Sequence, residues 1–218
     1  YSVLNKLNSE DIKILTAEDP IEFNFRGINQ VLVNEKVGMT FSAALRAFLR
    51  QDPDIIMVGE IRDRETAEIA IKAAMTGHLV LSTLHTNDSP STIGRLVDIG
   101  IPPYMVASSV SMVLSQRLAR KLCPECKVLG EGSDPGELEA MGFSAEEIPN
   151  LNIYEPEGCE KCNGSGYKGR VGLFELMEVT EEVGKVITAA APEDQLRKVA
   201  MKEGMLTLRD SGLEKIRQ

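Results

Sequence analysis

Two hydrophobic rhythms alternate along this chain. Residues 12–17 (IKILTA), 54–59 (DIIMVG) and 78–83 (HLVLST) are short runs with almost no polar alternation. That is the pattern of strands covered on both faces. Between them, apolar residues recur three and four apart. Thr40 precedes one such stretch, where Phe41, Ala44, Leu45, Phe48 and Leu49 keep a helical spacing that stops before Asp52-Pro53. Residues 62–76 form another, closed by Gly77. Residues 88–99, 103–122, 180–190 and 192–203 also read as helices. Residues 21–37 read as extended chain with turn signals at Gly27 and Gly38, and residues 170–178 as a strand. Strands separated by helices predict an α/β fold built on a parallel sheet.

Polar residues follow the strand runs closely: Glu18 and Asp19, Glu60 and Arg62, His85 and Asn87. Open parallel sheets bind ligands at the carboxyl ends of their strands, so these residues are expected along one sheet edge. Past Leu122 the rhythm is lost. Residues 123–169 hold all four cysteines among many glycines. They read as a small loop-rich element between a core at 1–122 and a strand and helical region at 170–218.

Composition narrows the choices. At 218 residues the chain has room for one domain and a small satellite. A 43% apolar and 26% charged content is that of a globular protein. A net charge of −9 and the lack of Trp argue against a nucleic-acid surface. No apolar run nears the roughly 18 residues of a membrane span.

Asp54-Ile55-Ile56-Met57-Val58-Gly59-Glu60 has the Walker B pattern, a buried strand ending in a carboxylate that holds Mg²⁺ or polarises an attacking water. A core strand followed by a solvated Glu has the same letters. Glu18-Asp19 before Pro20 offers two carboxylates for Mg²⁺ or water, or simply a turn. Both histidines, His78 and His85, flank one strand. A His beyond the strand end can donate to a γ-phosphate, with Thr83 and Asn87 as neutral donors nearby; backbone-satisfied histidines are the plainer alternative. Arg62, Arg64, Arg95, Arg117, Arg120 and Arg170 are mostly expected on solvated faces, with one or two able to reach a phosphate across a subunit boundary. The 218 residues contain no G-x-x-x-x-G-K-[ST] loop.

Cys123-x-x-Cys126 and Cys159-x-x-Cys162 are two chelating pairs separated by 32 residues. Four thiolates close a tetrahedral zinc site and leave no open position, so the metal is expected to be structural. A reducing compartment suits this spacing better than disulfides do.

Read together, these motifs resemble one family. ILTAEDPIEF at 14–23 resembles the Asp box of the secretion superfamily ATPases, and residues 50–89 resemble their atypical Walker B and His box nearly residue for residue. The paired cysteines, with Tyr167-Lys168-Gly169-Arg170-Val171-Gly172 and Glu175, resemble the tetracysteine element of the GspE/PilB-like type II secretion and type IV pilus assembly ATPases. The resemblance covers essentially the whole chain and favours the pilus assembly branch. It implies a RecA-like P-loop core and a hexameric ring that hydrolyses Mg-ATP in the bacterial cytoplasm, working on an inner-membrane platform. By the same resemblance Glu60 is the catalytic glutamate, Glu18 a carboxylate near water and Mg²⁺, and His85 the contact to the γ-phosphate. Asp19, Arg62 and His78 join as nucleotide-binding positions, and the four cysteines are zinc ligands. Tyr1-Ser2 matches the sequence just after the family's P-loop, so the chain is expected to be the C-terminal part of the motor and to bind nucleotide poorly alone. Two further readings stay open: a zinc-stabilised platform-docking module without catalysis, and a nucleic-acid motor on the same core.

Overall fold

A computed structural model describes residues 1–130 and 134–217. Residues 131–133, inside the expected 123–169 element, and residue 218 lie outside the described residues. The chain divides into two compact units, Tyr1–Val113 with Glu178–Ala200, and Leu114–Met177 with Met201–Gln218.

The first unit is α/β. Its sheet comprises β1 (Ile14–Glu18), β2 (Ile28–Leu32), β3 (Ile55–Val58) and β4 (Leu79–Ser82), in the order β2-β1-β3-β4. All three pairings are parallel. All five residues of β1 are buried, and Ile56 and Val58 of β3 are fully enclosed. These are the two inner strands, and they meet the expectation of cover on both faces. The edge strand β4 does not: Leu79 is 46% exposed. The run HLVLST is as apolar as the inner strands, but sequence does not say which strand lies at an edge.

The helices begin where side chains can satisfy their first amides. In α2 (Phe41–Phe48) Thr40 accepts from Ala43 N, in α3 (Arg64–Met75) Asp63 accepts from Thr66 N, and in α4 (Ser89–Asp98) Asp88 and Ser91 form a reciprocal capping box. Helix α1 (Ser2–Leu7) buries Leu4 against Ile14, Ile28 and Ile55. Helix α5 covers only Pro103–Ser109; residues 112–122, expected to continue it, are strand β5 (Met112–Leu122). The physical reason is pairing with β8 (Tyr167–Glu178), which overrides the high helix propensity of Leu, Arg, Ala and Lys in VLSQRLARKL.

The second unit holds most of that two-stranded sheet. A smaller antiparallel pair joins β6 (Lys127–Leu129) to β7 (Tyr154–Pro156). Helix α6 (Pro135–Met141) lies between them in sequence. Two helices of the first unit, α7 (Glu181–Thr188) and most of α8 (Glu193–Lys202), follow β8, and α9 (Leu208–Arg217) returns to the second unit. Among the described residues, no helix is long and apolar enough to cross a membrane.

Candidate functional site

Register brings the polar strand ends together. Ala17 lies opposite Val58, and Val58 opposite Ser82. The residues just beyond therefore leave the sheet side by side. Gly59 N donates to Ala17 O at 2.8 Å, and Thr83 Oγ1 donates to Gly59 O at 2.6 Å. A Cβ on Gly59 would stand 3.2 Å from Ala17 O and 3.5 Å from Glu18 Cα, so a glycine lets β3 run close against β1 there.

Glu60 follows directly. Its Oε1 accepts from Arg62 Nη2 at 2.5 Å and its Oε2 lies 3.1 Å from His85 Nε2. The Arg62 guanidinium, more than the weaker pull of His85, holds the Glu60 carboxyl below its ordinary range against the opposing effect of burial. Glu60 is thus a carboxylate at neutral pH. His85 is 88% exposed in its side chain, so its ring faces solvent on this edge. Asp19 is exposed and lies within the electrostatic reach of Arg62.

Glu18 is different: it is 2% exposed and closely held. Its Oε1 accepts from Thr16 Oγ1 at 2.6 Å and from Gln30 Nε2 at 2.9 Å. Its Oε2 accepts from Tyr1 OH. Tyr1 stacks on Phe25, with centroids 5.4 Å apart, and meets Phe23 edge-on at 5.6 Å. Burial, with the Glu18 carboxylate, holds the Tyr1 phenol above its ordinary value. Sequence reading missed Thr16, Gln30 and Tyr1. Thr16 carried a signal, because a polar residue two before Glu18 in an apolar strand shares its face. Gln30 carried none, because it faces Thr16 only through the β1–β2 register.

His78 is not brought to this edge. It precedes β4, at the opposite end of that strand from His85, and its Nδ1 lies 3.0 Å from Ala73 O and 3.2 Å from Thr76 Oγ1. Its role here is in the C-terminal turn of α3.

The four cysteines form a second centre. Their sulfurs all lie within 4.8 Å of one another. Cys123 Sγ is 3.9 Å from Cys159 Sγ, and Cys162 Sγ is 3.8 Å from those of Cys126 and Cys159. A tetrahedral zinc with Zn–S near ~2.3 Å requires S···S spacings of about 3.8 Å. The donor set and spacing therefore fit zinc. Cys162 Sγ also accepts from the amides of Cys159 at 3.1 Å and Gly166 at 3.2 Å. These bonds hold the Cys162 thiol below its usual value, whereas burial holds that of Cys126 above it. Gly166 has φ +72°, and a Cβ there would stand 2.4 Å from Pro156 Cβ.

The fold defines a class first. The crystal structure of the pilus retraction motor PilT with bound ADP aligns at a TM-score of 0.59 and 29% identity, covering 96% of this chain and 55% of that one. The Legionella pneumophila ATPase DotB aligns at a TM-score of 0.66 and 22% identity, covering 99% and 51%. The first unit is accordingly a RecA-like ATPase fold. The chain belongs to the family described as "Type II/IV secretion system protein", which it matches over residues 1–218. It is 52% identical to the type IV pilus assembly ATPase PilB of Myxococcus xanthus, over 99% of this chain and 38% of that protein. It is 53% identical to PilB of Pseudomonas aeruginosa, over 100% and 38%. Identity to the type II secretion system ATPase E of Vibrio cholerae is 47%, over 100% and 42%. The chain thus spans about two fifths of the length of these curated relatives.

Proposed function

We propose that the protein to which this chain belongs is a hexameric motor that hydrolyses Mg-ATP to power type IV pilus assembly, at the cytoplasmic face of the inner membrane with platform proteins as partners. The observation that carries this reading is the alignment of Glu60, Arg62 and His85 with Glu18 and Asp19 at one sheet edge, in a family whose relatives are named as ATPases. Identities to pilus assembly ATPases run from 45% to 54%, three of them at 52–54%, against 45–47% to the type II secretion proteins; the upper end favours the pilus branch over secretion.

The residues fit the cofactors. Mg²⁺ prefers carboxylate and phosphate oxygens, and Glu60, Asp19 and Glu18 supply carboxylates. Bound there, the ion neutralises charge that develops on the transferring phosphoryl group. Glu60, ionised at neutral pH, accepts hydrogen bonds from the attacking water and fixes its lone pair toward the phosphorus. Arg62 holds Glu60 through Oε1. His85, whose exposed ring can turn away from that carboxylate, would present an N–H to a phosphate oxygen. Glu18, whose Oε1 is held by Thr16 and Gln30, would orient water or the ion through Oε2 once the Tyr1 hydroxyl gives way. Cys123, Cys126, Cys159 and Cys162 would hold a zinc that stabilises two turns and takes no part in hydrolysis.

The test is phosphate release by the full-length protein, with ATP and Mg²⁺ and with Mg²⁺ chelated. Metal-dependent turnover is expected. A well-folded, ATP-binding protein without turnover would overturn the motor reading and favour a docking module instead.

A further inference from the structure

The segment that carries His85 is fastened at several points. Thr83 Oγ1 holds the Gly59 carbonyl, and Thr86 Oγ1 lies 2.7 Å from Thr92 Oγ1. Thr92 Oγ1 also donates to Asp88 O at 3.1 Å. Asp88 Oδ1 accepts from Ser91 N at 2.9 Å at the start of α4. All of these partners lie within the region 59–92.

One contact comes from far away in sequence. Arg197 on α8 donates from Nη2 to Asp88 Oδ2 at 2.9 Å. The two side chains are only 30% and 22% exposed, so this pair is shielded more than a surface ion pair. Burial alone would raise the Asp88 carboxyl. The Ser91 amide and the Arg197 guanidinium outweigh it and hold the group below its ordinary range. Arg197 also pairs with Glu193 one turn earlier, at 2.8 Å, which fixes the guanidinium on its helix. Three residues after Arg197, the chain passes out of the first unit and into the second.

We infer that Arg197 is a positioning residue: through Asp88 it sets the place of the His85 segment against Glu60, so that the state of α8 is felt at the hydrolytic edge. Asp88 lies three residues after His85, and its carboxylate is the joint between α4, α8 and that segment. Losing the guanidinium frees one side of this joint without removing a group that touches nucleotide. A small displacement of a correctly built site lowers turnover more than it lowers affinity.

This inference rests on the ATPase reading, and its test separates the two. Steady-state ATP hydrolysis, nucleotide affinity and thermal melting are measured on full-length Arg197→Met, Arg197→Lys, Asp88→Asn, the Arg197→Met/Asp88→Asn double variant and Glu193→Gln. Glu60→Gln is measured beside them. Arg197→Met is expected to lower kcat roughly tenfold while KM for ATP and the nucleotide Kd stay within about twofold. Arg197→Lys should recover part of the rate, since it restores the charge but not the planar fork. The double variant should be no slower than the slower single variant, because both remove the same contact. Glu193→Gln, which loosens the guanidinium on its helix but keeps the Asp88 contact, should lower turnover much less than Arg197→Met. Additive losses in the double variant, or an equal loss in Glu193→Gln, would overturn the inference, as would full activity in Arg197→Met. If Glu60→Gln slows turnover and Arg197→Met does not, this inference fails and the ATPase reading stands. If Glu60→Gln turns over normally, the ATPase assignment itself fails.

Discussion

At the sheet edge, Glu18, Glu60 and His85 stand at or just beyond the ends of three neighbouring strands and share one edge only because parallel register sets the strand ends level. In the cysteine cluster, each pair of ligands comes from one tight turn, and the turns are shaped by the backbone. Cys162 N bonds Cys159 O, Lys127 N bonds Cys123 O, and Cys123 N bonds Gly166 O. The first centre inherits its precision from a packed core. The second has little core of its own: the buried residues around it are chiefly the cysteines themselves. A site of the first kind survives loss of its ligand. One of the second kind depends on it, because metal binding and folding are then one equilibrium.

Removing zinc is the sharpest way to break this contrast, and it carries the largest expected effect. Metal analysis should find one zinc per chain; chelation should cost the second unit on the order of 10 kcal/mol of binding-linked stability, and Cys126→Ser, which leaves three thiolates, a part of that. Hydrogen exchange should show the turns at 123–127 and 159–166 opening while β1 and β3 stay protected. Equal loss of protection in both places would erase the distinction drawn here.

Gly166→Ala tests the same turns without touching a ligand. The added methyl meets Pro156 Cβ at a residue already in the left-handed region. A cost of about 3 kcal/mol is expected from overpacking and backbone strain together, read as weaker zinc retention and a lower melting point.

Thr16→Val probes the sheet edge by an almost isosteric change. It removes the hydroxyl that donates to buried Glu18. Urea denaturation should show a loss of about 1–2 kcal/mol, with zinc content unchanged.

The smallest expected effect is that of Asp88→Asn, which keeps a capping side chain on α4 but discards the charge facing Arg197. It should cost about 0.5–1 kcal/mol at pH 7. The folded-state carboxyl of Asp88 lies below its unfolded value. Its stabilisation is therefore full above the unfolded range near ~3.9 and lost as pH falls through the folded value. The gap between variant and parent should stay constant from pH 7 to pH 5 and close toward pH 3.

Much of both centres was legible in the letters. Cys-x-x-Cys spacing is a local signal, and it identified the four sulfurs that meet. The apolar runs before Glu18 and Glu60 marked strands of a parallel sheet, so their carboxyl ends pointed to the edge where the carboxylates stand. What failed to show was whatever pairing decides. In residues 112–122, Val113, Leu114 and Leu118 satisfy a helical period as well as a strand, and only β8 settles it. Helices α6 and α9 lay in stretches with weak periodicity. The resemblance made His78 a nucleotide-binding position, yet it precedes the strand that His85 follows, and the structure keeps it at the end away from Glu60. Gln30 became visible as a partner of Glu18 only once β2 had a register.

The central claim is that Glu60 is the group that acts on water at this edge. The most direct measurement is single-turnover ATP hydrolysis by full-length Glu60→Gln, with ATP binding measured on the same preparation. Binding within about twofold of the parent and a rate at least ~100-fold lower are expected, as for the loss of a group that acts in the transition state. An unchanged hydrolysis rate with intact binding would contradict the account.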